Sequence, residues 1–360
     1  MRSPFLAALL LFATPILSSP TPDNKNDGCT TTVKHGSSIQ SAINKAKPGD
    51  KIIVEAGTYA EQLTIKTSGL TLIGKNAILV PPEHFGINLC SGLNQDFVNV
   101  STEAGICIHG KGVDLAPYVK EHRRFISAKE YIKNVVVSGF TVKNFTGENI
   151  AVVAGSNVKI IDNKLINGAQ YGFLTVGSKD TLAQGNLITT AVLPSFIAMC
   201  MDDQSGAVFK GNNISNYLIG LCGQTSGGLL AKNTVKDCCV GAFVDPFVKN
   251  LKVLDNTFSD RPALCPAELG GGVIVLGAVK ATVKGNVVKG FTNSGMGVGI
   301  LIMDDADTGA KASGNVVKKN KLEGNDFDIA DTSAAAASAG NVLANNQCDP
   351  ALASPATACS

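Results

Sequence analysis

One phrase returns along this chain, and its return limits the fold more than any other feature. At 157–167 it reads NVKIIDNKLIN: alternating apolar residues, a two-residue Asp-Asn step, then a second short apolar run. It recurs as DTLAQGNLIT (180–189), GAVFKGNNIS (206–215), GLLAKNTVK (228–236), NLKVLDNTFS (250–259), VKATVKGNVVK (279–289), KASGNVVKK (311–319) and ASAGNVLANN (337–346). With the asparagine as a ruler, the marks fall at Asn163, Asn186, Asn212, Asn233, Asn256, Asn286, Asn315 and Asn341, in steps of 23, 26, 21, 23, 30, 29 and 26 residues. Alternation with period two specifies strands, and a repeat of this length specifies stacked units that share one core. The 360 residues are therefore expected to form one long domain rather than two.

The remainder of the chain is read around that array. Residues 1–19 have the form of a secretory signal, with Arg2 ahead of a short apolar run and small residues after it. Residues 20–36 read as a linker. In SIQSAINKA (38–46) the apolar positions Ile39, Ala42, Ile43 and Ala46 predict a short amphipathic helix, with Ser37 or Ser38 as its cap and Pro48-Gly49 as its stop. Such a helix can close the open end of a strand stack, where unpaired backbone groups would otherwise invite edge pairing. The stacked-strand domain is placed at 37–346, interrupted by a non-repeat insertion at 83–132, and residues 347–360 read as a tail. The insertion holds His84, His109 and His122, three of the four histidines, together with Cys90 and Cys107. It reads equally as a functional excursion or as a disulfide-tied cover for the first rungs.

Ten cysteines in an exported chain suit an oxidising compartment and up to five disulfides. Cys90 with Cys107, Cys348 with Cys359, and Cys238 or Cys239 with Cys265 are the pairings considered. Zinc competes, but no CxxC pair is present. Triplets at Asn99, Asn144 and Asn213 are candidate N-glycosylation sites. A net charge of +2 argues against a nucleic-acid partner, and no later run is long enough to span a membrane.

The opening run IQSAINKAKPGDKIIVEAGTY, then GLTLIG, then the rungs, resembles the right-handed parallel β-helix (pectin-lyase-like) superfamily, and within it secreted β-helix proteins of fungi and actinobacteria. The resemblance spans about 37–346. It implies an all-β, single-stranded right-handed parallel β-helix (solenoid) with a short N-terminal capping helix. It implies a carbohydrate-active role less specifically, because one fold carries many functions. The polygalacturonase pattern is matched only at the MDDQ step, and the pectate-lyase signatures are missing. The recurring asparagines are read as scaffold, since Asn tolerates a left-handed turn and its amide can bond its equivalents above and below.

The end of the strand before each asparagine gives a column Gly177, Asp202, Gly223, Asp245, Gly277, Asp304, Asp331, doubled at Asp203 and Asp305. Turn chemistry accounts for any single member. The doubled acids call for more, because adjacent carboxylates shift each other's titration and suit acid–base chemistry or a cation. Asp202, Asp203 and Asp245 are the candidate catalytic residues; Asp202 and Asp245, two rungs and so about 10 Å apart, approach the spacing of an inverting glycoside hydrolase. His122, Arg123 and Arg124 are the candidate substrate-binding residues, weighed against a plain solvated charge cluster. Asp304 and Asp305 are the candidate metal ligands, calcium being the ion they suit, and no other cofactor is called for. The expectation is a secreted, monomeric polysaccharide lyase or glycoside hydrolase working on an extracellular polymer along the groove, set against a non-catalytic β-helix that binds glycans or the cell surface.

Overall fold

The computed structural model describes residues 28–191, 195–267, 269–334, 339–349 and 353–359. The signal segment 1–19 lies outside these. Every turn of the chain contributes one short strand to each of three parallel sheets, of 12, 11 and 11 strands. The rung built on the opening phrase is Lys159–Ile161, Lys164–Ile166 and Tyr171–Val176, and the next rung pairs with it in register. Inward positions stack as ladders. One runs Ile106, Ile150, Phe173, Met199, Leu221, Ala242, Val273, Ile300, Ile329, and it is fully buried throughout.

Between the first and second strands of each rung the chain turns on two residues. The asparagine at the second carries the ladder. Asn186 Oδ1 accepts from both the backbone N–H and the side-chain amide of Asn163, and Asn212 does the same for Asn186. The left-handed residue is not the asparagine but the one before it: Asp162, Gly185, Gly211, Lys232, Asp255, Gly285. The ruler slips at its last two marks. The ladder runs on from Asn286 to Asn320 and Asn346, whereas Asn315 and Asn341 form a separate pair at the corner before the first-sheet strand. The pentapeptide GNVVK occurs at both 285–289 and 314–318, so the same letters mark two different corners.

The helix Ile39–Lys45 closes the N-terminal end. Ser38 caps it, Ile39 and Ile43 enter the core, and the Glu61 carboxylate accepts from the Ile39 and Gln40 amides at its positive end. The coil is longer than the repeat suggests. Thr30–Val33, in the segment read as linker, already pairs in the first sheet, and Gln347–Asp349 and Ala353–Ser354 carry the tail into the second and third sheets. Disulfides join Cys90–Cys107, Cys200–Cys222, Cys239–Cys265 and Cys348–Cys359, with Cys29 and Cys238 free.

The insertion is not one loop. A regular third-sheet strand, Ile106–His109, sits inside it, masked in the sequence by long excursions on both sides. Ahead of it a loop is tied to the strand by Cys90–Cys107. After it comes the antiparallel hairpin Lys111–Leu115 and Phe125–Glu130. Together these excursions cover the outer face of the third sheet, where Cys90, Leu93, Cys107, Leu115, Ala151, Leu174, Cys200 and Cys222 form a second apolar cluster. The strands beneath are consequently buried on both faces.

Candidate functional site

On the third sheet, Met201 pairs with Gly223 and Gly223 with Val244, all facing inward. Strand alternation then turns the next residue of each rung outward: Asp202, Gln224 and Asp245. The column proposed from sequence is thus one residue out of register at Gly177 and Gly223, since Asp202 pairs with Val176 and Gly223 with Met201. Its later members do not join either: Asp331 pairs with inward Ile302, and Leu276 and Met303 continue the outer column beyond Asp245. The carboxylates do not line the whole edge. They gather at one place.

The hairpin's tip completes that place. His122, nearly fully buried, contacts Asp202 Oδ2 through Nε2 at 3.1 Å and the Tyr171 hydroxyl through Nδ1 at 3.2 Å. A carboxylate accepts only, so Nε2 carries a proton in this contact. Arg124 donates to Asp202 at 3.4 Å, to Gln224 Oε1 at 2.5 Å and to Glu121 at 3.1 Å. Gln224 Nε2 donates to both Glu121 Oε2 (2.8 Å) and Asp245 Oδ2 (2.6 Å). Contacts separated by about a hundred residues in sequence therefore form one network, around a cleft of about 270 Å³ bounded also by Lys120, Phe247 and Thr308.

The two aspartates have different surroundings. Loss of water pushes the Asp245 carboxyl up to about 7, and the negative charges of Glu121 and Asp202 add to the push against the Gln224 and Arg124 contacts. Asp202 instead has a guanidinium and an imidazole N–H beside it. Burial drives the Tyr171 hydroxyl far above its ordinary range, so it remains a neutral donor.

The other expected site residues lie elsewhere. Asp203 points into the coil, accepts from Thr175 at 2.5 Å, and is pushed up to about 6 by burial. Adjacency in sequence put it beside Asp202; alternation puts the sheet between them. Arg123 is spent on the Ala116 and Leu115 carbonyls, where it braces the hairpin tip. Asp304 accepts from Lys311 and from the Ala312 and Ala334 amides, and Asp305 from Thr308 and the Asp307 amide. These bonds organise a turn, and no group of three or more His, Cys, Asp or Glu among the described residues is arranged to hold a metal ion. Asn99, Asn144 and Asn213 are all exposed. Glu121, Gln224 and Tyr171 were not singled out from sequence. Counting alternation from inward Met201 identifies Gln224; no local signal identifies the other two.

A family profile described as "Right handed beta helix region" matches residues 196–352. The chain is similar in structure to the DFA-IIIase from Arthrobacter chlorophenolicus A6 (TM-score 0.54, 13% identity, 87% of each chain covered). It is also similar to the mannuronan C-5 epimerase AlgE6 A-module of Azotobacter vinelandii (TM-score 0.50, 15% identity, 86% of this chain and 87% of that one). At such identities the likeness is one of fold. Comparison with curated proteins by sequence gives no match. The fold is the right-handed parallel β-helix.

Proposed function

We propose that this chain is an extracellular carbohydrate-active enzyme of the glycoside hydrolase type, with Asp245 as proton donor and Asp202 as its carboxylate partner. The observation that carries the reading is the pairing, in one open cleft, of a carboxyl pushed up to about 7 with a second held by Arg124 and His122. A carboxyl raised to about 7 facing a second carboxylate across one cleft is what acid and base roles require. Asp245 then protonates the glycosidic oxygen while Asp202 draws a proton from the attacking water. Separation by two rungs, about 10 Å between backbones, leaves room for that water and favours inversion. Four disulfides fit the extracellular setting, and no helix among the described residues is long and apolar enough to cross a membrane. We place glycans on exposed Asn99, Asn144 and Asn213, and the capped coil ends fit a monomer.

A second reading is favoured by one observation: each member of the cluster already has a partner inside it, as a latch holding the hairpin to the coil would. The protein would then bind glycans without cleaving them. Purified protein incubated with neutral and uronic polysaccharides separates the readings. New reducing ends without absorbance of unsaturated products support hydrolysis; unsaturated products indicate a lyase; binding with neither indicates the latch.

A further inference from the structure

Phe247 stands at the rim of the cleft, beside Asp245, and nothing in the coil accounts for it. It is exposed, at 61%, whereas Phe140, Phe145, Phe173, Phe209, Phe258 and Phe291 are buried in the core. Its backbone has φ of 65°, a left-handed conformation that a bulky residue rarely takes. The Val248 amide closes a turn onto the Asp245 carbonyl at 3.4 Å, with Pro246 and Phe247 between. Proline followed by a left-handed residue is the pattern of a type II turn, whose third position normally belongs to Gly or Asn.

The turn also carries an added residue. Val244 pairs with Val275, but Lys249 pairs with Val279. Five steps in this rung therefore match four in the next, and the extra residue bulges the corner outward. The matching corner below holds Gly277, also left-handed at φ 55°, the residue type that fits such a turn without strain. One rung has thus acquired both an insertion and a strained aromatic where it meets the acids. Strain held at such a point, with no packing gained, is a pointer to a role in binding.

We propose that Phe247 is a stacking platform for the face of a neutral sugar ring, and that it sets the register of the polymer over Asp202 and Asp245. The proposal rests on the hydrolase-type reading of the cleft and names its substrate class. An apolar ring beside hydrogen-bonding groups suits a sugar, which has an apolar C–H face and a polar rim. The cleft reserves little charge for a uronate: Arg124 is already engaged by Glu121 and Asp202, which leaves Lys120 as the other cation of the lining among the described residues. A uronate carboxylate would lose water there as Asp245 does, with the charges of Glu121 and Asp202 also against it.

The test uses the full chain carrying Asp245→Asn, to prevent turnover, with and without Phe247→Asn or Phe247→Trp. Calorimetry with neutral gluco-, galacto-, manno- and fructo-oligosaccharides, and with oligouronates, gives the affinities; thermal melts give stability. Phe247→Asn should weaken neutral-sugar binding roughly five- to tenfold, while Phe247→Trp retains it. Asn suits the left-handed turn, so the melting temperature should hold or rise, whereas loss of a structural aromatic would lower it. Equal affinity in Phe247→Asn and its parent overturns the platform while leaving the cleft reading standing. Preference for oligouronates overturns the substrate class. Binding of none of the probes overturns both the platform and the reading beneath it.

Discussion

The coil and the insertion laid on it are held by different means. From Asn163 onward the coil repeats the same bonds rung after rung: a ladder of buried amides, inward apolar columns and strand pairing in three sheets. The insertion is attached through contacts that occur once: the Cys90–Cys107 bridge, a buried Glu148–Asn94 contact, the outer apolar cluster, and the polar network of Glu121, His122 and Arg124. Repetition gives rigidity that any single rung can lose in part. The insertion has no such redundancy, and its tip is what completes the site. The lesson is a division of labour in which the regular part positions Asp202, Gln224 and Asp245, and the irregular part sets their chemistry.

That contrast can be broken from the coil side first. Asn212→Ala removes the acceptor of the Asn186 amides and the side-chain donor to the Ala183 carbonyl. The expected cost is about 3–5 kcal/mol in urea unfolding, with the whole coil losing stability together. On the insertion side, Cys90→Ala with Cys107→Ala opens a link across 17 residues. About 3 kcal/mol of restraint is lost, and protease cleavage at 83–105 should accelerate while the rungs beyond Val208–Lys210 stay protected.

The third break is in pH. Burial pushes the Glu148 carboxyl up to about 8, with Glu103 adding to the push, and Asn94 donates to it at 2.5 Å. Its folded value lies above the unfolded one, so its contribution is complete below about 4.5, the ordinary value, and is lost as pH rises through about 8. Glu148→Gln should remove this dependence, making the variant more stable than the parent at pH 8 by on the order of 2–4 kcal/mol and equal to it at pH 4. Urea midpoints across that range check the point; parallel curves for the two proteins would mean Glu148 does not hold the insertion in its neutral form. The smallest effect expected is from Arg123→Ala. It should loosen the hairpin tip by about 1–2 kcal/mol without changing which oligosaccharide is bound.

The same contrast explains what could be read from the letters. The coil was legible because a period of strands and turns is a local signal repeated many times, and the capping helix was legible from its own apolar spacing; the disulfides were open pairings, of which Cys90–Cys107, Cys239–Cys265 and Cys348–Cys359 form. Register was harder: GNVVK at two corners displaced the asparagine ruler, and counting from glycine displaced the acidic column by one. The cluster joins His122 to Asp202 across 80 residues and Glu121 to Gln224 across 103, and nothing local encodes such pairings. Asp203 shows the limit most plainly. It is adjacent to Asp202 in sequence, yet the pleat sends one carboxylate to the cleft and the other to the core.

The central claim is that Asp245 delivers a proton in this cleft. The direct measurement is the pH dependence of kcat on a neutral polysaccharide for the wild type and Asp245→Asn. A donor held at about 7 predicts activity that falls as pH rises through 7, and a loss of about 10²–10⁴-fold in the variant. Asp245→Asn turning over at the wild-type rate, with the same alkaline limb, would contradict it.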